Sequence, residues 1–321
     1  MPAIVEHVDD RVSPGSRRNP IHVRGFEIVK VLIRLSVLAV VAVAVDVTAH
    51  RLSAGQAPKV PAGAYADIPG VRLWYVDSGG TGTPVVFLHA ATGTSQVWEY
   101  QVQPFVSAGY RFIAYDRRGH GRSVIDKTAP QPGTAADDLE ALMKHLRVDR
   151  FHVVGTAAGG IASLDYALAF PHRLRSLVVA NSIGGVQDED YLALGRRIRP
   201  APQFDALPAD FRELGPSYRA ANPEGTRRWN ELERLSHPDG STPAPPPTKN
   251  RLTFERLETI KAPTLLMTGD ADLWTPPALM RLFAARIKHA ETAIVPESGH
   301  SAYWEQPETF NQLVLTFIGK H

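Results

Sequence analysis

The sequence contains no cysteine among its 321 residues. This absence excludes disulfides, thiolate metal sites and a cysteine nucleophile, but it does not fix the redox compartment. No group of histidine and acidic residues has the spacing of metal ligands, and no phosphate-binding loop is present. We therefore expect neither a metal nor a cofactor.

A strong charge of either sign is also lacking, since the formal net charge is only +2. The body of the chain has no basic stripe, so we expect no nucleic-acid partner and predict a small-molecule one. Hydrophobic residues make up 44% and charged residues 21%, which are ordinary values for a globular protein. The length suits one large domain or two small ones.

A long apolar run is missing too, although a short one, "LSVLAVVAVAV", spans Leu35 to Val45 behind a basic leader. A transmembrane helix needs about 20 apolar residues, whereas this length is typical of an export signal. We predict that residues 1–60 are a leader carrying an export signal or membrane anchor. The protein is then periplasmic, extracellular or membrane-associated. A disordered leader with one apolar helix, on a cytoplasmic protein, is the alternative.

From Tyr65 onward, short apolar runs alternate with helical patterns. This alternation predicts an α/β fold with a mostly parallel, doubly wound sheet covered on both faces. The segment at about 186–260 breaks the rhythm, because it has few strand signals, many charges and the proline-rich "HPDGSTPAPPPTK". We predict one domain over 61–321, with this segment as a small helical cap insertion. The predicted strands are VRLWYVD, TPVVFLHA, YRFIAYD, RFHVVG, LRSLVVAN, APTLLMTGD and TAIVPE.

The stretch "VVGTAAGG", Val153 to Gly160, lies between a predicted strand and a predicted helix. A strand, a tight Gly-x-nucleophile-x-Gly turn and a helix form the nucleophile elbow of a hydrolase. Gly155 and Gly159 supply the small flanking positions, and Ala157 is the central residue. The same glycines could open a dinucleotide site, but such a turn is expected after the first strand, and this one follows about the fourth.

Four further motifs make the chain, from about Ala64 to Gly319, resemble the α/β-hydrolase fold superfamily. They are "VVFLHAATGTSQVW", "YDRRGHGRS", "LLMTGDADLWTPP" and "VPESGHSAYWEQP". They stand in the order of the family, with the nucleophile position followed by the acid and then the base. The family includes esterases, enol-lactonases and C–C bond hydrolases.

The resemblance implies a role for several residues. Asp272 is the expected acid, with Asp270 as a rival, and His300 is the expected base of a catalytic triad. The backbone N–H groups of Ala91 and Ala158 are the expected oxyanion hole.

Other side chains in these motifs have less specific expectations. Three aromatic residues either line the substrate pocket or pack in the core: Trp98, Trp274 and Tyr303. Four residues have an expected structural role: His89, His120, Arg117 and Arg118.

Ala157 departs from the pattern, because alanine cannot form an acyl-enzyme. Three explanations remain open. The chain is an inactivated Ser→Ala form, or a natural variant in which His300 and Asp272 act directly, or a ligand-binding module without turnover. Direct action would be water activation, lyase chemistry or cofactor-free oxygenation. We predict a hydrolase-family enzyme acting on an ester, lactone or similar carbonyl compound.

Overall fold

The computed structural model describes residues 61–128, 133–237 and 246–321. The predicted leader, residues 1–60, lies outside these ranges. So do residues 238–245, which include much of the proline-rich stretch. Within the described ranges, none of the helices combines the length and apolar character that crossing a membrane requires.

The described residues form one mostly parallel sheet, ordered β1-β2-β4-β3-β6-β7-β8-β9, with the short β5 paired to β2. Only the β1–β2, β2–β4 and β2–β5 pairs are antiparallel. The predicted α/β class is thereby confirmed. The strands are β1 (Gly63–Ile68), β2 (Val71–Asp77), β3 (Pro84–Leu88), β4 (Arg111–Tyr115), β5 (Val124–Ile125), β6 (Phe151–Thr156), β7 (Leu174–Ala180), β8 (Thr264–Gly269) and β9 (Glu291–Val295).

Every predicted strand is present, and two unpredicted strands join them. The sequence of β1, "GAYADI", has no apolar run. Pairing with β2 along its whole length stabilises it as a strand. β5 has only two residues. Because both precede β6, the tight turn follows the sixth strand of the described chain rather than the fourth.

The helices cover the sheet and fill the segment between β7 and β8. Thr134 caps the N-terminus of one of them, since its side chain accepts a hydrogen bond from the Asp137 N–H. The helices are α1 (Val102–Ser107), α2 (Ala135–His145), α3 (Ala158–Ala169), α4 (Glu189–Ile198), α5 (Ala209–Glu213), α6 (Pro216–Ala221), α7 (Pro223–Arg234), α8 (Phe254–Leu257), α9 (Pro277–Ala284), α10 (Ala302–Glu305) and α11 (Pro307–Ile318).

Alternate residues of the central strands bury their side chains on opposite faces of the sheet. Val86 and Val153 pack with α2, α3 and α9 in one hydrophobic cluster. Phe87 and Val154 pack with α1, α10 and α11 in the other. Burial on both faces explains why the strands are apolar runs and not alternating patterns.

The segment predicted as a cap holds α4 to α8 and, in its described part, no strand. Of its helices, α4 and α7 are amphipathic. Where α5 ends and α6 begins, the segment Glu213–Gly215 packs against the loop after β9. This contact brings cap residues to the carboxyl ends of the parallel strands, where open α/β sheets bind their ligands.

Candidate active site

The turn between β6 and α3 has the geometry of a nucleophile elbow. Ala157 adopts φ 50° and ψ −116°, a conformation that side-chain-bearing residues rarely take. A Cβ on Gly159 would collide with the Leu88 carbonyl oxygen, and one on Gly155 would collide with that of Gly159. The turn therefore requires glycine at both flanking positions, as the sequence predicts.

Hydrogen bonds hold the backbone of Ala157 in this strained conformation. Its N–H donates to the carbonyl oxygen of Ala180 at 3.0 Å. Its own carbonyl oxygen accepts from the Ser182 hydroxyl at 2.6 Å. The elbow is thus fixed by the neighbouring strand, whatever side chain it carries.

His300 and Asp272 form a buried pair at the carboxyl ends of the same parallel strands. The His300 Nδ1 lies 2.9 Å from each carboxylate oxygen of Asp272. Asp270, the rival acid, is exposed. The structure therefore places Asp272, and not Asp270, against the imidazole.

Asp272 is held by donors from three parts of the chain. Its Oδ1 accepts from the N–H groups of Trp274 (2.7 Å) and Thr275 (2.9 Å). Its Oδ2 accepts from the Asn181 amide at 2.9 Å and the Thr268 hydroxyl at 3.1 Å. This set of donors fixes the carboxylate and stabilises its ionised form.

The electrostatics of the pair favour an ionised Asp272. Burial raises the pKa of its carboxyl, but His300 and the hydrogen bonds outweigh it and lower that pKa below its usual value. Burial alone would lower the pKa of His300, yet the carboxylate of Asp272 outweighs it and raises that pKa overall. Because Nδ1 is bound to Asp272, Nε2 is the nitrogen that can exchange a proton with a bound molecule.

A cavity of about 210 Å³ opens beside this pair. Its walls are mostly small or apolar, and they include Ala157, Trp274 and His300. The two expected oxyanion donors, Ala91 and Ala158, also line it. A cavity of this size and character admits a small, largely uncharged molecule.

Of the three aromatic candidates, only Trp274 lines this cavity, where its ring centroid lies 5.7 Å from that of His300. A pocket role for Trp98 and Tyr303 is wrong. Both are completely buried, with their rings 4.7 Å apart, in the core beneath α11. The physical reason is that both side chains pack against Phe310 of that helix.

The residues expected to be structural make structural contacts. The Arg117 N–H donates to the His89 Nε2 at 2.9 Å, and its guanidinium donates to the His89 carbonyl oxygen. Arg118 binds Asp138 with two hydrogen bonds of 2.6 and 2.9 Å. His120 is buried, and burial lowers its pKa to about 3.

Three site residues were not predicted from the sequence: Asn181, Glu213 and Glu305. Asn181 follows β7 directly, a position that could have signalled a site residue. The other two carried no such signal.

Glu305 links the cap to the loop of His300. It accepts hydrogen bonds from the N–H groups of Gly215, Gly299 and Ser301 at 2.7 to 3.1 Å. Burial raises its pKa to about 7.

Comparison with known proteins agrees with this geometry. The profile of the α/β-hydrolase fold family matches residues 83–307, and the chain belongs to that family. A relative from Caulobacter sp. (strain K31), by name a carbamate hydrolase, RutD, is 34% identical over 70% of this chain and 87% of its own. A 2-hydroxy-6-oxononadienedioate/2-hydroxy-6-oxononatrienedioate hydrolase from Klebsiella pneumoniae is 30% identical over 78% of this chain and 92% of its own.

Among solved structures, a thermophilic esterase from Thermogutta terrifontis superposes with a TM-score of 0.67 at 25% identity. The match covers 81% of this chain and 98% of the esterase. Both sequence relatives are hydrolases by name, which agrees with the expectation of a hydrolase-family enzyme.

Proposed function

We propose that this α/β-hydrolase family member is an enzyme in which His300 and Asp272 act as a general base on a small ester, lactone or similar carbonyl compound. The observation that carries the proposal is the 2.9 Å contact of His300 with Asp272 beside a small cavity. A module that only binds a ligand has no need of such a pair. The relatives are named for carbamate, ester and oxo-acid substrates, and each of these contains a carbonyl group.

The chemistry proceeds without a covalent intermediate, because Ala157 has no nucleophilic atom. The His300 Nε2 takes a proton from a water molecule, whose oxygen then attacks the substrate carbonyl carbon. Asp272 stabilises the resulting imidazolium. The N–H groups of Ala91 and Ala158 are the proposed donors to the developing oxyanion.

A second candidate is a serine hydrolase inactivated by a Ser→Ala change. It is favoured by the strained φ of 50° at Ala157, since this elbow serves to present a nucleophile. A catalytic triad would then differ from this site only by one hydroxyl group.

Two variants test the proposal with p-nitrophenyl butyrate and a short γ-lactone. His300→Ala should lower kcat by about 10²–10⁴-fold, the usual contribution of a general base. Turnover that is unchanged in His300→Ala would overturn the proposal. Absence of turnover in the parent would also overturn it, and ligand binding that then survives both His300→Ala and Asp272→Ala would favour a binding module.

The Ala157→Ser variant distinguishes the two candidates. If the chain is an inactivated serine hydrolase, the serine form should gain rate by several orders of magnitude, as removal of a triad serine costs about 10⁶-fold in kcat. If the alanine chain acts directly, the serine form should gain little. A large gain would therefore favour the second candidate over the first.

A further inference from the structure

Glu213 places a second ionisable side chain in the cavity, in addition to His300. It ends helix α5 of the cap, whereas His300 and Asp272 follow strands of the sheet. It lines the cavity and is only 6% exposed. Its Oε2 has no hydrogen-bond partner in the described part of the chain. A buried, unpartnered carboxyl oxygen is costly, which points to a ligand group that completes it.

The backbone holds Glu213 beside the base. Its carbonyl oxygen accepts from the His300 N–H at 2.7 Å. A Cβ on Gly299 would collide with the backbone of Leu214 and Gly215, so the two segments lie in direct contact. The carboxyl of Glu213 is therefore placed by the same contact that places His300.

Burial of Glu213 shifts its carboxyl toward the protonated form. Burial raises its pKa, and the carboxylates of Asp272 and Glu233 act in the same direction. His300 and Arg212 oppose them, but the pKa stays above the usual glutamate value. A protonated carboxyl can donate a hydrogen bond or a proton, as a carboxylate cannot.

We propose that Glu213 is a further catalytic residue, the proton donor to the leaving group. This inference rests on the proposed function, with His300 as the base. The His300 Nε2 takes a proton from water, and the water oxygen bonds to the carbonyl carbon. The bond from that carbon to the leaving oxygen then breaks, while the Glu213 O–H gives its proton to that oxygen. Proton return from His300 to Glu213 through a second water restores the site, so that ester and water yield acid and alcohol.

Two butyrate esters that differ in their leaving group test this role. Ethoxide needs a proton to leave, whereas p-nitrophenolate leaves as a stable anion. Glu213→Gln in the full chain should therefore lower kcat for ethyl butyrate by about 10²-fold or more. Its kcat for p-nitrophenyl butyrate should change by less than about threefold, because donation by Glu213 adds little there. The alkaline limb of the pH–rate profile for ethyl butyrate should disappear in the variant.

Glu224→Gln is the matched control, since it removes an exposed cap carboxyl that does not line the cavity and is not one of the charges that act on Glu213. It should leave both rates near those of the parent. Equal loss for both esters in Glu213→Gln would overturn proton donation in favour of a positioning role. No loss for either would overturn it outright. If His300→Ala leaves both rates unchanged, the proposed function fails instead.

A measurement without turnover gives an independent result. At neutral pH, the infrared difference between the parent and Glu213→Gln should show the C=O stretch of a protonated carboxylic acid. Its absence would overturn the proposal. Binding of n-butylamine that the variant loses would show instead an ionised carboxylate that anchors cationic ligands, and it would also overturn proton donation.

Discussion

At the scale of single residues, the contacts of Asp272 explain how Asp272 and His300 keep their geometry beside an alanine at position 157. Asp272 accepts from two backbone N–H groups and two side chains besides His300. None of these contacts involves Ala157. The pair therefore depends on β8 and on the residues that follow β7 and β8, and not on the side chain at position 157.

Asp272→Asn should lower the pKa of His300. The carboxylate of Asp272 is the main influence that raises this pKa against the effect of burial. The raised pKa stabilises the fold below the ordinary histidine value of about 6.5, and that contribution is lost as pH rises through the folded value. The variant should lose this pH dependence. NMR titration of the His300 imidazole checks the pKa, and urea unfolding at several pH values checks the stability.

The free energy of unfolding should also fall by about 1–3 kcal/mol, because an amide cannot satisfy all the buried donors around position 272. Asp270→Asn is the control, since Asp270 is exposed. It should leave the His300 pKa unchanged. An unchanged pKa in Asp272→Asn as well would show that Asp272 is not the cause of the shift.

At the scale of elements, the cap and the loop after β9 meet through their backbones. The segment Glu213–Gly215 contacts Gly299 and His300, and Glu305 accepts hydrogen bonds from both sides of the junction. This junction places a cap residue and the proposed base in one cavity. The two segments can lie this close only because Gly299 has no side chain.

Gly299→Ala should therefore separate the cap from the loop. The added Cβ would collide with the backbone of Leu214 and Gly215, which cannot give way as a flexible side chain can. We expect a loss of about 1–3 kcal/mol in the free energy of unfolding, the usual cost of overpacking. Denaturant unfolding measures this loss, and the kcat of the proposed reaction should fall with it.

Gly195→Ala offers a matched control within the same cap. Its Cβ would meet only the guanidinium end of Arg199, and it lies inside helix α4. Alanine there should be neutral or stabilise the fold by about 0.5–1 kcal/mol, because glycine is unfavourable inside a helix. If both variants behave alike, the close junction does not hold the cap.

At the scale of the whole molecule, features set by local pattern were predictable from the sequence. The apolar runs of the central strands, the glycines of the elbow and the motifs of Asp272 and His300 each lie in a continuous stretch. Burial on both faces of the sheet makes such runs distinctive. Their order along the chain was enough to indicate the fold.

Features set by contacts between distant segments were not predictable. β1 is a strand through its pairing with β2, and its own sequence gives no strand signal. Whether Trp98 or Trp274 reaches the cavity depends on which elements cover each side of the sheet. Glu213 is one of many charged cap residues, and only the contact with His300 distinguishes it. Packing between distant segments therefore determines which residues line the cavity.

At the same scale, we propose that residues 1–60 direct the whole protein out of the cytoplasm. The pair Val40→Asp and Val43→Asp places two charges in the apolar run, each of which costs about 2.5–3.5 kcal/mol at the centre of a membrane helix. Export should then be abolished. A C-terminal alkaline phosphatase fusion, active only outside the cytoplasm, measures this directly.

Ser13→Asp is the control for that experiment, because it adds a charge to the leader outside the apolar run. It should leave phosphatase activity unchanged. An inactive fusion of the unaltered chain would contradict export. The small residue Ala49 that ends "VTA", Val47 to Ala49, makes this stretch a candidate signal-cleavage site. The mass of the exported protein then distinguishes a cleaved signal from a membrane anchor. A chain that begins at His50 was cleaved from a signal, and an intact chain in the membrane fraction is anchored.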